Sequence, residues 1–384
     1  MRILLDVSNL GATGPEILLR NLLSPLAELA RDVTFLLLLP SSKKQEIWEL
    51  PPNVKAHFVH RSRIREFSRM WDINFALARL SEKLGANLYF TFGDLGPAKL
   101  SIPHIIYLHQ AYMVYTEPEL NNSLPLSERI KLRYQRSHFS RSVRNASAVV
   151  VQTPVVAARL IKLYGVPFDK VSVIRPPLPS HVQKLKDAVT TPAVVGKTVT
   201  LNLLFLATYY AHKNHAILPG VVKELRHRNL TGKVHIHMSL DGNRRKEETV
   251  LLSNLAPDRD IITNMGRLTP NGVRVAFAST DALFQPTLVE TFGLIYLEAM
   301  AAGKPILTSD RDFSRYVCGD LALYFDPHDP VSIVDAIEHL MTNLAAFRKK
   351  VRLKAGGQIS SVAGTPESNA LELMDLFRKH MPKT

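Results

Sequence analysis

Two carboxylates eight positions apart, Glu290 and Glu298, stand in the stretch Pro286-Thr-Leu-Val-Glu290-Thr-Phe-Gly-Leu-Ile-Tyr-Leu-Glu298-Ala-Met-Ala-Ala-Gly-Lys-Pro305. Ionised carboxylates accept hydrogen bonds from hydroxyl groups. Such a pair could hold sugar hydroxyls at one position and a ribose at the other. The apolar run 281–285 predicts a short buried strand, Gly293 permits a tight loop, 295–302 predicts a helix, and Gly303 with Pro305 stops it. Glu290 then falls in the loop after a strand and Glu298 on the helix that follows. In an open α/β sheet that loop lies at the carboxyl ends of the strands, where ligands bind. The backbone N–H groups near Phe292, Gly293 and Leu294 can face an anion there. Taken as isolated acids, the two would read as a helix cap and a solvated helical residue.

Other residues offer chemistry at strand ends. The turn Asp6-Val-Ser-Asn-Leu-Gly11-Ala-Thr-Gly14-Pro15 separates a first strand from a helix that tolerates proline in its first turn. Gly11 and Gly14 would let the backbone approach a phosphate or a sugar, although a purely structural turn is the plainer reading. Their spacing is not that of a dinucleotide-binding fingerprint, which argues against a dehydrogenase. His109 closes the predicted strand 105–109, either facing a cleft or satisfied within the structure. His212 and His215 flank Lys213 without a further ligand set, so no metal site is expected. Asp310-Arg-Asp312 reads as a turn rather than a metal-binding pair. The single cysteine, Cys318, excludes an internal disulfide and gives no metal site.

The ordered pattern Pro-Thr-Leu-x-Glu-x-Phe-Gly-Leu-x-x-x-Glu-Ala-Met-Ala-x-Gly-x-Pro-Ile over 286–306 resembles the C-terminal signature of the family-four retaining glycosyltransferases (glycosyl transferases group 1). The resemblance implies an α/β chain with the GT-B fold, two Rossmann-like domains facing a central cleft. The segment Leu204-Phe-Leu-Ala-Thr-Tyr-Tyr-Ala-His212-Lys213-Asn214-His215 resembles the one in which this family sets a lysine on the donor diphosphate. Lys213 would there stabilise charge building on the leaving group. Where many relatives have Gly-Arg, this chain has Ala207-Thr208, so one of two expected cations is missing. Backbone N–H groups would replace it, or Arg267 in Asn264-Met-Gly266-Arg267-Leu268, and relatives read the base with the backbone near Gly266. The resemblance sets His109 near the donor sugar and the Gly11–Gly14 loop across the cleft from Glu290. Tyr316 departs from it, standing where related chains often have glutamate.

What this implies is transfer of a hexosyl unit, with retention, from a UDP- or GDP-sugar to a hydroxyl of a saccharide or lipid-linked acceptor. Glu290 would hold the sugar hydroxyls and Glu298 the ribose, with no metal and no cofactor. Two other classes stay open. A glycoside hydrolase would use the paired carboxylates as acid and nucleophile or base. A non-catalytic binder of polyanions or membranes would explain the basic charge but not the 286–306 segment.

The elements that must position these residues follow from the patterning. At 384 residues and 46% hydrophobic content, the chain suits two α/β domains. Strands are expected at 2–7, 33–39, 54–59, 87–91, 105–109 and 148–152 in the first half. In the second half they are expected at 171–174, 201–207, 233–238, 261–264, 282–284, 305–308 and 322–325, with helical segments between. The proline-rich 175–180 and the aperiodic stretch to 197 read as a linker. The expected domains are therefore 1–178, acceptor-binding, and 179–384, nucleotide-sugar-binding, with a last helix near 367–380 that returns to the first domain in GT-B enzymes.

The net charge of +14 leans to the first half: residues 1–180 hold 23 Lys/Arg against 14 Asp/Glu, and residues 181–384 hold 25 against 20. The excess is densest at Arg61, Arg63, Arg65 and Arg69, and along 129–144. On a helix, Arg129, Arg133, Arg136 and Arg144 would share one side and Leu132, Phe139 and Val143 another. That side reads as a solvated face, a patch for an anionic membrane surface or lipid diphosphate, or, least of the three, a nucleic-acid contact. No nucleic-acid motif accompanies it, so nucleic acid is not expected as a partner. No apolar run is long enough to span a bilayer, and a cytoplasmic protein, peripheral on the inner membrane face, is the expectation.

Overall fold

The computed structural model describes residues 1–8, 14–44, 49–59, 72–118, 120, 124–179, 182, 200–243 and 245–381. The chain divides into two compact units, Met1–Pro179 with Ala363–Thr384, and Ser180–Val362. Each is built on one parallel sheet.

The first unit runs β1 (Arg2–Asp6), α1 (Gly14–Leu29), β2 (Thr34–Pro40), β3 (Val54–Val59), α2 (Leu77–Lys83), β4 (Leu88–Phe92), β5 (His104–Tyr107), α3 (Leu126–Asn145), β6 (Ala148–Val151), α4 (Pro154–Tyr164) and β7 (Val171–Val173). Its strand order is β3-β2-β1-β4-β5-β6-β7. Strands such as β1 and β2 read as unbroken apolar runs because a parallel sheet is covered on both faces. Ile3, Leu4, Leu5 and Phe35 to Leu39 are accordingly buried. The 171–174 strand, which falls inside the 1–178 segment, pairs with β6 and forms the edge of this first sheet. α4 shows how local chemistry sets bounds. The Thr153 hydroxyl accepts from Val156 N–H, Pro154 takes the first turn, and Gly165 leaves the helix at φ 64°.

The second unit runs β8 (Leu201–Phe205), α5 (Leu218–His227), β9 (Val234–Met238), α6 (Lys246–Leu255), β10 (Ile262–Asn264), α7 (Pro270–Ser279), β11 (Ala282–Gln285), α8 (Leu294–Ala301), β12 (Ile306–Ser309), α9 (Asp312–Cys318), β13 (Ala322–Phe325) and α10 (Pro330–Val362). Its order is β10-β9-β8-β11-β12-β13. α10 breaks helical geometry at Asn343, whose side-chain amide donates to the His339 carbonyl at 2.9 Å. In both sheets the order reverses once, between β1 and β4 in the first and between β8 and β11 in the second. Open α/β sheets bind ligands at the carboxyl ends of such strands.

The chain re-enters the first unit as α11 (Pro366–His380). Thr365 and Ser368 cap it reciprocally, and its Phe377 meets Phe90 at a ring separation of 5.0 Å. The return is fastened by Asn369, which donates to the Arg175 carbonyl at 2.6 Å, and by the Gly364 N–H, which donates to the Pro176 carbonyl at 3.0 Å. A Cβ on Gly364 would lie 2.3 Å from the Asn369 amide oxygen, so glycine is required there.

The α3 arginines do not form one solvated face. Leu132, Phe139 and Val143 are buried as expected, but the half-buried Arg136 donates to the Tyr112 and Tyr115 carbonyls at 2.8 and 2.6 Å. Arg129 donates to the Leu124 carbonyl at 2.7 Å and Arg144 to that of Tyr164 at 3.4 Å. These guanidiniums satisfy carbonyls outside α3, while Arg133 and Arg141 are exposed. Arg61, Arg63, Arg65, Arg69 and most of the linker, 180–181 and 183–199, lie outside the described residues.

Candidate functional site

Lys213 and Glu290, 77 positions apart in sequence, form a direct ion pair in the second unit. Their positions follow from the switch point of the sheet. Lys213 ends a 3-10 turn, Ala211–Lys213, in the segment after β8, and Glu290 lies in the segment after the neighbouring strand β11. Two bonds tie the segments together: the His212 carbonyl accepts from the Leu288 N–H at 2.7 Å and from the Thr287 hydroxyl at 2.9 Å. Asn214 then turns the chain through the left-handed region at φ 59°, and its amide donates to the Pro327 carbonyl at 2.7 Å. The Lys213 and Glu290 side chains are 19% and 16% exposed. The pair is sheltered enough to strengthen its electrostatics and open enough to meet a solute.

The loop from Glu290 into α8 has one conformational requirement. Gly293 sits at φ 86°, ψ 72° as the residue before the helix, and a Cβ there would lie 2.7 Å from the Tyr296 ring. Tyr296 cannot yield, because it is fully buried and its hydroxyl is bonded to that of Thr308 at 2.8 Å. Burial also drives the Tyr296 phenol well above its ordinary range. Phe292 is buried beneath the loop, Leu294 begins α8, and Glu298 lies one turn farther on, half-buried. Glu298 is thus on α8, while Glu290 lies in the loop before it.

Gly266 and Arg267 follow β10 in a separate loop. Asn264 fixes that loop: its side-chain oxygen accepts from the Leu240 and Gly266 N–H groups at 2.8 and 3.2 Å, and its amide donates to the Leu240 carbonyl at 3.1 Å. Gly266 has φ 73°, and Arg267 is exposed. Ala207-Thr208 adds no charge beside β8, but Arg245 lies over the Tyr210 ring, 5.5 Å from its centroid, and Tyr210 stacks on His212. Burial first, then Lys213 and Arg245, pull the His212 imidazole down to about 3. Arg245, some thirty residues along the chain in a polar stretch, had no sequence signal. Nor did Thr287 and Asn214, although both stand in the segments singled out by sequence.

His109 belongs to the first unit and sits two residues past β5, since the strand ends at Tyr107 rather than at the histidine. Asp94, itself at φ 69°, accepts from the His109 and Gln110 N–H groups at 2.6 and 2.8 Å and so fixes the loop. The ring lies against Tyr107 and Phe92, and Gln152 approaches its Nδ1 at 3.3 Å. Burial pulls the imidazole down to about 3, leaving it neutral near pH 7. Gly14 opens α1, and Gly11 lies outside the described residues. Asp310 is held by Arg315 at 2.5 and 2.7 Å, and Asp312 opens α9. Cys318 is buried, which pushes its thiol well above the ordinary range. Among the described residues, no helix is long and apolar enough to cross a membrane.

Comparison with known proteins agrees with this architecture. A Glycosyltransferase Family 4 model matches residues 12–180 and a Glycosyl transferases group 1 model matches residues 200–343. The chain is 25% identical over 274 residues to a D-inositol 3-phosphate glycosyltransferase of Paenarthrobacter aurescens, a match covering 68% of this chain and 65% of that protein. It is 23% identical over 219 residues to O-antigen chain mannosyltransferase B of Escherichia coli, covering 56% of each. The chain thus spans somewhat under two thirds of the length of the curated relatives it matches. Sucrose-phosphate synthase from Thermosynechococcus elongatus superposes with a TM-score of 0.72 at 16% identity, over 98% of both chains. With a parallel α/β unit on either side of the linker and a family match on each, the chain belongs to the family-four glycosyltransferases of the GT-B fold.

Proposed function

We propose that this protein is a retaining glycosyltransferase moving a hexosyl unit from a UDP- or GDP-sugar to a hydroxyl of a saccharide or lipid-linked acceptor. The observation that carries the reading is the Lys213–Glu290 pair at the switch point of the second sheet. A lysine and a carboxylate side by side offer one group for a diphosphate and one for sugar hydroxyls. The donor would draw Lys213 onto its diphosphate, releasing Glu290 to accept hydrogen bonds from the sugar. Lys213 then stabilises charge that grows as the glycosidic bond to phosphate breaks, so its effect is largest in the transition state. The N–H groups near Phe292, Gly293 and Leu294 would add donors, Glu298 would bind the ribose, and the backbone at Gly266 would read the base.

In this reading the departing phosphate helps deprotonate the incoming hydroxyl on the same face, and no enzyme nucleophile, cofactor or metal is required. Arg267 would contribute the second cation that Ala207-Thr208 does not. His109, neutral, would donate a hydrogen bond to the donor sugar, and the backbone at Gly11 and Gly14 would contact the donor. Residues 1–178 would then bind acceptor and 179–384 the nucleotide sugar. The named relatives act on an inositol phosphate and on an O-antigen chain, which supports polyhydroxylated acceptors in glycolipid or polysaccharide synthesis. Such acceptors are compatible with a cytoplasmic enzyme at an anionic membrane.

The test is a panel of UDP- and GDP-sugars with inositol phosphate and saccharide acceptors, read as nucleoside diphosphate release. Release that requires an acceptor supports transfer. Cleavage of a simple glycoside, with no response to nucleotide sugars, would point to a hydrolase instead.

A further inference from the structure

The second sheet carries two histidines that transfer does not use. In β9, Val234, Ile236 and Met238 enter the core shared with α5, α6 and α10. Strand alternation turns His235 and His237 to the other face, where both keep part of their surface in solvent. Their rings are neighbours, with centroids 4.7 Å apart.

Each ring is held through the same nitrogen. His237 Nε2 lies 3.0 Å from the Asn202 side-chain oxygen, and His235 Nε2 lies 2.8 Å from the Thr263 hydroxyl. The Asn202 amide is oriented by its own donors, which reach the Thr200 carbonyl at 3.0 Å and the Asp281 carboxylate at 3.4 Å. Its oxygen therefore accepts, His237 donates from Nε2, and the lone pair of that ring stays on Nδ1. The Thr263 hydroxyl can accept from His235 in the same way. An oxygen holding the N–H opposite the coordinating nitrogen is the usual arrangement behind a metal-binding imidazole.

We propose that His235 and His237 form a two-imidazole site for a borderline transition-metal cation, Zn²⁺, Ni²⁺ or Cu²⁺, with solvent completing its coordination. The nearby carboxylates are already engaged, Asp260 by Arg226 and Asp281 by Arg348 and Asn202. No group of three or more His, Cys, Asp or Glu is placed to hold a metal among the described residues. An imidazole pair without free carboxylates selects these cations over Mg²⁺ or Ca²⁺, which require oxygen ligands.

The test is calorimetric titration of the full chain, without a histidine tag, using ZnCl₂, NiCl₂ or CuCl₂. At least one of the three should bind with one ion per chain, and this binding should be lost in His235→Ala and in His237→Ala. Thr263→Ala keeps both imidazoles and should still weaken binding by about tenfold, the scale for losing such a supporting contact. The Thr263→Ala result also stands if an alanine variant at either histidine fails to fold. No stoichiometric binding of any of the three by wild type would overturn the site. So would full affinity in the double variant His235→Ala/His237→Ala or in Thr263→Ala, or displacement of the bound ion by equimolar MgCl₂.

Discussion

Glu290 and Lys213 neutralise each other through a direct ion pair, and that contact determines how their substitutions should differ. A diphosphate must compete with the Glu290 carboxylate for Lys213. Glu290→Ala should therefore bind a free nucleoside diphosphate more tightly than wild type while losing about a hundredfold or more in turnover. Lys213→Ala should lose both affinity and turnover. Calorimetry with UDP and GDP beside steady-state rates separates the two, and weaker diphosphate binding by Glu290→Ala would remove the competition from the account. A second expectation concerns metal. Asp310 is already held by Arg315, and in the proposed reaction Lys213 would supply the cation for the diphosphate. Turnover should persist in EDTA, and complete loss reversed by Mg²⁺ or Mn²⁺ would mean the diphosphate is held differently.

At the scale of elements, α3 limits what a membrane contact could use. Arg129, Arg136 and Arg144 are committed to carbonyls, and the exposed groups of α3 include Arg133 and Arg141 with Leu126 and Ile130. If the helix meets anionic lipid, wild type should co-sediment with vesicles rich in anionic lipid at low salt and less at high salt. The variant Arg133→Gln/Arg141→Gln should then bind less. Equal binding by both proteins would assign α3 no such role. The same helix shows what the sequence could and could not reveal. The 3.6-residue spacing of Leu132, Phe139 and Val143 marks its buried face, because burial of apolar groups is periodic. Nothing local tells that Arg136 turns toward the carbonyls of Tyr112 and Tyr115, since those acceptors come from a loop more than twenty residues away. Glycine and proline marked α8 to within one residue, whereas the union of Lys213 with Glu290 depends on β8 lying beside β11. Strand order is a tertiary outcome, set by which strands the crossovers bring side by side.

Across the whole molecule, each unit buries an imidazole that must stay neutral. His104 in the first and His215 in the second are 4% and 1% exposed, and both are pulled from 6.5 down to about 3. Burial is the main cause, followed by His138 for His104 and by Lys213 and His212 for His215. Between those values the unfolded chain binds more protons than the folded one. Stability is therefore full above about pH 6.5 and falls as pH drops toward 3, by up to about 1.4 kcal/mol per pH unit for each histidine. Urea midpoints should hold level from pH 7.5 to about 6.5 and decline from there to pH 5, and a midpoint that stays flat or rises below 6.5 would mean these rings are not held neutral. The central claim is that the Lys213–Glu290 pair serves transfer from a nucleotide sugar. It is tested most directly by nucleoside diphosphate release from the matching donor, with and without acceptor, by wild type and by folded Glu290→Ala. The account predicts release by wild type that depends on acceptor and falls by about a hundredfold or more in the variant. Equal rates in the two proteins, or release indifferent to acceptor, would contradict it.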